Sequence, residues 1–212
     1  RYLAEGGAAN VQTKRGCPFA CTYCTYPVLE GSQVRTRPAA DVVRELRALV
    51  DDHGVDYVEF CDDIFNFPET PARELCEAMI AEDLGLSWSA FVNPGHLDAR
   101  LLDLMVRAGC DAVELGTDSG SPTMLRKLGK SFTVEEVRLS SRLCREAGVA
   151  TAHYLLFGGP GENDETVSES VALMDELAPE AVIVMVGIRI YAGTDLHATA
   201  LAEGLVAEEA PF

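Results

Sequence analysis

The sequence predicts an α/β fold, an open partial (β/α)6 barrel of parallel strands with helices on the outside. Three observations predict it. Apolar, β-rich runs alternate with helical patterns along the chain, which implies parallel strands joined by helical crossovers. Several runs are apolar at nearly every residue, as expected of strands buried on both faces. Only six such runs are visible in 212 residues, whereas a closed eight-unit barrel takes about 250. A doubly wound sheet is the runner-up.

The first candidate strand is NVQTK (10–14). Val42, Val43, Leu46, Leu49 and Val50 then recur at i, i+3/i+4, i+7, one face of a helix, before strand two, DYVEF (56–60). Strand three is LSWSAFV (86–92), followed by a helical stripe of Leu101, Leu102, Met105 and Ala108. Strand four is DAVELG (111–116) and strand five TAHYLLF (151–157). Val167, Val171, Met174 and Leu177 form the next stripe, before strand six, EAVIVMVGIRI (180–190). Gly54, Gly85, Gly109 and Gly148 precede strands, where a left-handed residue ends a helix. No linker or short repeat divides the chain, so residues 1–212 read as one domain. It begins at Arg1, and we expect a piece of a longer protein.

In such folds chemistry sits on the loops after the strands. Cys17 to Cys24 follow strand one, Asp62 and Asp63 strand two, Asn93 strand three, Asp118 strand four, and GGPGEN strand five. All should converge on one rim. GGPGEN lacks the Lys-Ser/Thr pair of a triphosphate loop.

Asp and Glu number 34 against 17 Lys and Arg, a formal charge of −17. Without a basic tract, nucleic acid is a disfavoured partner. The longest apolar runs are too short to span a bilayer, and no signal region is visible. Seven cysteines, an odd number, then suggest reduced thiols in the cytoplasm.

Cys17, Cys21 and Cys24 are spaced C-x3-C-x2-C with no fourth cysteine nearby. Thiolates suit zinc or iron–sulfur clusters. Structural zinc wants four protein ligands, and neither His53 nor Cys61 forms a second knuckle. A 4Fe–4S cluster on three thiolates leaves one iron open to a small molecule. Cys61, Cys76, Cys110 and Cys144 have no such grouping; packing is their default role, although Cys61, at the end of strand two, lies nearest the rim.

This spacing after a first strand, with Tyr23 just before the last cysteine, resembles the radical S-adenosylmethionine (radical SAM) superfamily, whose core is a TIM-like barrel. FCDDIFN, GTDSGSPTMLRKLGKSFTVEEV, LLFGGPGEN and IRIYAGTDL resemble later family segments in the expected order. The likeness is greatest to the branch in which this core follows an N-terminal cobalamin-binding domain. The resemblance implies that S-adenosylmethionine chelates the open iron through its methionyl group. It places Tyr23 and the backbone of Leu156 at the adenine, Asp118 at the ribose and Lys130 on the methionyl carboxylate. One of Asp62 or Asp63 would meet the methionyl amino group, Asp62 being our assignment, and Asn93 is a further polar candidate. Adjacent side chains in an extended strand point opposite ways, so at most one of the two aspartates faces the site. Asp118 stands where relatives carry Glu or Gln, and Ala192 where they commonly carry Pro. The physical logic is redox: a sulfonium is hard to reduce, protein-held clusters reach down to about −700 mV, and chelation supplies proximity. The cofactors carry the hard chemistry within the barrel wall.

The expected function is radical SAM chemistry, chiefly methyl transfer through cobalamin to an unactivated carbon of a small-molecule or lipid-type substrate. The cobalamin would sit in a domain outside these residues, and a flavodoxin or ferredoxin would supply electrons. The alternatives are a tRNA-modifying methylthiotransferase, which predicts further cluster ligands and a basic appendage, and, from another class, an iron–sulfur electron carrier or a zinc-stapled interaction module.

Overall fold

A computed structural model describes residues 8–207. In chain order these form β1 (Ala9–Val11), an antiparallel ribbon of β2 (Lys14–Arg15) and β3 (Arg35–Thr36) enclosing the short α1 (Tyr26–Leu29), then α2 (Ala39–His53), β4 (Tyr57–Phe60) and α3 (Glu69–Glu82). β5 (Ser87–Val92), α4 (Ala99–Arg107), β6 (Cys110–Asp118), α5 (Pro122–Lys127) and α6 (Val134–Ala147) follow. The chain continues through β7 (Ala150–Phe157), α7 (Asp164–Leu177), β8 (Ala181–Val186) and α8 (Asp195–Ala202).

The main sheet has six strands in the order β1-β4-β5-β6-β7-β8, every pair parallel. Each strand pairs with the next main-sheet strand along the chain. A doubly wound sheet reverses direction at a switch point, and there is none here. β1 and β8 are both edges, so the barrel is open, as the sequence predicts.

The core lies between the sheet and the outer helices. Leu46 of α2, Phe60 of β4, Trp88 of β5 and Leu101 and Met105 of α4 are completely buried. The Trp88 ring meets Phe60 edge-on at 5.1 Å, and its Nε1 donates to the Ala108 carbonyl at 2.9 Å, so the polar end of the largest core side chain is satisfied. Cys76, Cys110 and Cys144 are buried here as packing thiols. His153 of β7 is wholly buried between Thr117 Oγ1 at 2.7 Å and Ser141 Oγ at 3.2 Å. Burial pushes its pKa down to about 4, so it is a neutral core histidine. Among the described residues, no helix is long and apolar enough to cross a membrane.

Two helix ends match the glycine reading: α2 stops at left-handed Gly54 and α6 at left-handed Gly148. α3 instead stops at Asp83, itself left-handed, two residues before Gly85. Gly109 serves close approach as well as a positive φ, because a Cβ there would lie 2.1 Å from the Leu86 carbonyl oxygen.

The last strand departs from the sequence reading. AVIVMV looks like a strand buried on both faces, and the predicted run extended to Ile190. β8 ends at Val186, before Gly187 (φ 90), and every residue but Ile183 is exposed. The reason is position: β8 has one strand neighbour and lies at the open side. Val186 is 83% exposed, so Val186→Thr should change unfolding free energy by less than about 0.5 kcal/mol in a denaturant titration.

Candidate active site

The cysteine loop leaves β2 and returns through β3. Gly16 permits the crossing: its φ is +91, and a Cβ would lie 2.3 Å from the Gln33 carbonyl oxygen. The loop is anchored from several sides. Cys17 N donates to Gly31 O at 3.1 Å, Thr22 N to Leu128 O at 3.0 Å, and Leu196 N to Thr22 O at 2.8 Å. These bonds hold the backbone of a segment that has almost no regular structure.

Cys17, Cys21 and Cys24 all line one cavity of about 190 Å³ at the carboxyl ends of the strands, together with Tyr23, Asp63, Asn93 and Lys130. Phe19, Ile64, Phe91 and Phe132 give it apolar walls. Burial is the main cause that pushes Cys17 up to about 11, and it raises Cys21 and Cys24 as well, against the pull of Lys130. Thiols in such a place ionise when a bound metal supplies the compensating charge. Among the described residues no three His, Cys, Asp or Glu side chains converge closely enough to hold a single metal ion. A cubane needs no such convergence, because each thiolate takes a different iron.

The two aspartates after β4 separate as alternation requires. Asp62 is 2% exposed and faces away from the cavity. Its Oδ1 accepts from Thr13 N at 2.6 Å and Lys14 N at 3.1 Å, its Oδ2 accepts from the Thr13 hydroxyl, and Lys14 Nζ lies 3.6 Å away. Asp63 is the one on the cavity wall, with Oδ2 buried and without a hydrogen-bond partner. Burial, then Glu30 and Asp62, push its pKa up to about 6. Of the two, Asp63 borders the cavity and Asp62, the residue assigned from the sequence, does not.

Tyr23, Asp118 and Lys130 form a triad in which Asp118 is buried and Tyr23 half-buried. Lys130 Nζ is 2.8 Å from Asp118 Oδ2, with side chains 8% and 4% exposed, and the Tyr23 hydroxyl donates to the same oxygen. Lys130 also lies over the Phe132 ring at 5.2 Å. Burial alone would lower the Lys130 pKa; Asp118, Cys21 and Cys24 outweigh it and the net shift is upward, so the amine stays charged. Tyr23 and Lys130 line the cavity, and Asp118 is not among the residues of its wall.

Asn93 lines the cavity, but its side chain is engaged, accepting from Gly95 N at 2.9 Å and donating to Ser131 Oγ at 2.9 Å. It shapes the turn after β5. Leu156 is buried in β7, paired with Met185, and does not reach this cavity wall. Cys61 is exposed and also absent from it. Ser131 and Phe132 were missed, though they directly follow Lys130 in the sequence. Phe91 could have been found by alternation along β5.

Residues 11–174 match the family model described as Radical SAM superfamily. The chain is 27% identical to an uncharacterized methyltransferase of Pyrococcus horikoshii, over 97% of this chain and 45% of that protein. It is 30% identical to the tryptophan 2-C-methyltransferase of Streptomyces laurentii, over 90% of this chain and 34% of that protein. The chain thus spans less than half the length of these relatives. Among solved structures, the radical S-adenosylmethionine methyltransferase TsrM of Kitasatospora setae, with cobalamin and a [4Fe-4S] cluster bound, superposes with a TM-score of 0.91 at 28% identity, over 99% of this chain and 39% of that one. The extent of the family match, the parallel barrel and the three thiols on one cavity agree, and this chain belongs to the radical SAM superfamily.

Proposed function

We propose that this chain is the cluster- and S-adenosylmethionine-binding core of a cobalamin-dependent radical SAM methyltransferase. One observation carries the reading: three thiols, one ammonium and one unpartnered carboxylate oxygen border a single cavity. The donor set fits both groups. Three thiolates suit a cluster with one open iron, and S-adenosylmethionine presents a carboxylate and an amine that match Lys130 and Asp63. When bound, the cluster supplies a low-potential electron, and S-adenosylmethionine supplies the group to be transferred.

The chain's own residues do the rest. Cys17, Cys21 and Cys24 would hold the cluster. Lys130 gives the methionyl carboxylate a charge-assisted contact, and Asp63 accepts from the methionyl ammonium. Tyr23 borders the nucleoside, and Phe19, Phe91 and Phe132 exclude water from the reacting groups. The cobalamin belongs to a domain outside these residues, which the relatives' greater length has room for. The substrate is a small or lipid-type molecule, the electrons come from a flavodoxin or ferredoxin, and the compartment is the cytoplasm, where a thiol-held cluster survives.

Anaerobic reconstitution of the full-length protein, with iron and sulfide analysis and EPR of the reduced cluster with and without S-adenosylmethionine, tests this. About four irons and four sulfides, with a spectrum that changes on addition, are expected. One zinc without sulfide would sink the reading. Lys130→Met should raise the S-adenosylmethionine dissociation constant roughly tenfold to a hundredfold, the loss of one charge-assisted bond, while iron content stays unchanged. Lys127→Met, at an exposed position, should match wild type in the same titration.

A further inference from the structure

We propose that Glu114 and Tyr154 anchor the substrate inside the barrel, holding a protonated amine of a small molecule beneath the cofactor cavity. The inference deepens the proposed function and rests on it, because it names the substrate class of the same site. Strand alternation places the pair. Val113 and Leu115 of β6 and Leu155 of β7 are buried on the helix-covered side of the sheet, so Glu114 and Tyr154 turn the other way, into the barrel. Gly116, the next inward position of β6, lines the cofactor cavity. Phe91, the register partner of Glu114 on β5, lines it too. Glu114 therefore stands one inward position deeper than the cavity wall, about 7 Å along the strand. The Tyr154 hydroxyl donates to Glu114 Oε2 at 2.6 Å, and the Tyr154 ring lies 5.3 Å from that of Phe91. The two residues are tied to each other and, through Phe91, to the cavity.

The chemistry follows from an uncompensated charge. A half-buried carboxylate costs free energy unless a cation or hydrogen-bond donors meet it. Tyr154 occupies Oε2; among the described residues no hydrogen bond reaches Oε1, and no lysine or arginine pairs with Glu114. Glu59 of β4 faces the same interior, since Val58 and Phe60 on either side of it are completely buried. The hydrogen bond to Glu114 is the main cause that pushes the Tyr154 phenol up to about 12, with burial and the charges of Glu114 and Glu59 adding to it. The phenol therefore remains a donor, and Oε1 is left to accept from a ligand. An interior with carboxylates of one sign draws in a cation and repels anions. A protonated amine donates to Oε1 and supplies the missing positive charge. The Phe91 ring beside it takes the apolar body of the same molecule. Anchoring the nitrogen at depth directs the rest of the substrate up toward the rim, where the thiols and Lys130 stand, and fixes which carbon is presented there.

Calorimetric titration of three matched probes into the reconstituted full-length protein, with S-adenosylmethionine present, tests this. Phenethylamine carries the ammonium, 2-phenylethanol is its neutral counterpart and phenylacetate its anionic one. Wild type should bind phenethylamine about tenfold more tightly than 2-phenylethanol, the difference between a charged and a neutral hydrogen bond. Phenylacetate should bind most weakly. Glu114→Gln keeps the shape and an acceptor for Tyr154 while removing the charge, and should bring amine and alcohol within about twofold of each other. Tyr154→Phe keeps the ring against Phe91 and should weaken amine binding about threefold, the loss of one neutral hydrogen bond. Iron content and the EPR change on adding S-adenosylmethionine should match wild type in both variants, which separates a lost amine site from a lost cofactor site. A wild-type preference for the alcohol or the acid would overturn the proposal. So would an amine preference that survives Glu114→Gln, or no binding of any probe at millimolar concentration. A wild-type protein that prefers the amine yet loads no cluster would remove the methyltransferase reading and leave the amine site standing.

Discussion

Replacing any one of Cys17, Cys21 or Cys24 with Ala should leave the anaerobically reconstituted protein with almost no bound iron or sulfide, and without S-adenosylmethionine cleavage. The three thiols stand on one irregular loop whose backbone is held by bonds to Gly31, Leu128 and Leu196, so no neighbouring cysteine can swing in as a substitute. Cys61 is exposed and off the cavity wall, and Cys76, Cys110 and Cys144 are buried in the core. A cluster deprived of one of three thiolates has two protein ligands left and two open irons, which invites its loss. Cys76→Ala and Cys144→Ala are the controls. Both side chains are 0% exposed, so Ala is the right replacement, since a serine hydroxyl would be buried without a sure partner. They should keep their iron while losing about 1 kcal/mol of stability through the small cavity. Full iron and sulfide content in any of the three loop variants would refute the ligand assignment.

Asp62→Ala should destabilise the fold by about 3–5 kcal/mol in a denaturant titration, because it strands a buried lysine. Lys14 is 4% exposed, and once the carboxylate is gone its ammonium keeps the Phe65 carbonyl, at 2.5 Å, and the face of the Phe65 ring, with no countercharge. Burial already lowers the Lys14 pKa and Asp62 is the main opposing influence. The same change also orphans the Thr13 and Lys14 amides. Adding Lys14→Met should recover part of the loss by removing the stranded charge. Asp63→Asn, one residue on, should leave stability unchanged or slightly higher, because it neutralises a carboxylate whose Oδ2 has no partner. It should weaken S-adenosylmethionine binding instead. Equal stability losses at both positions would contradict the division of labour drawn from the structure.

That division was not legible from the sequence. Two adjacent aspartates after a strand must point to opposite faces, and DD alone contains no sign of which is which. The rotation of β4 against β1 and β5 decides it, and the decision turns a candidate ligand into the clamp of the β2 backbone.

The sequence alone determined the features that live in short spacings. C-x3-C-x2-C marks a three-thiolate site because the ligand set is local, and the order of six strands follows from alternation with helices, since parallel neighbours require crossovers. The tertiary structure alone decided which polar side chains the cavity sees and which strands are covered. β8 is apolar at each position yet exposed because it is an edge, and hydrophobicity does not encode how many neighbours a strand has. Asp118 ends β6 in a left-handed conformation, with its carboxylate on Lys130 and Tyr23. Long-range packing chooses such a geometry, and no pattern of residue types along the chain records it.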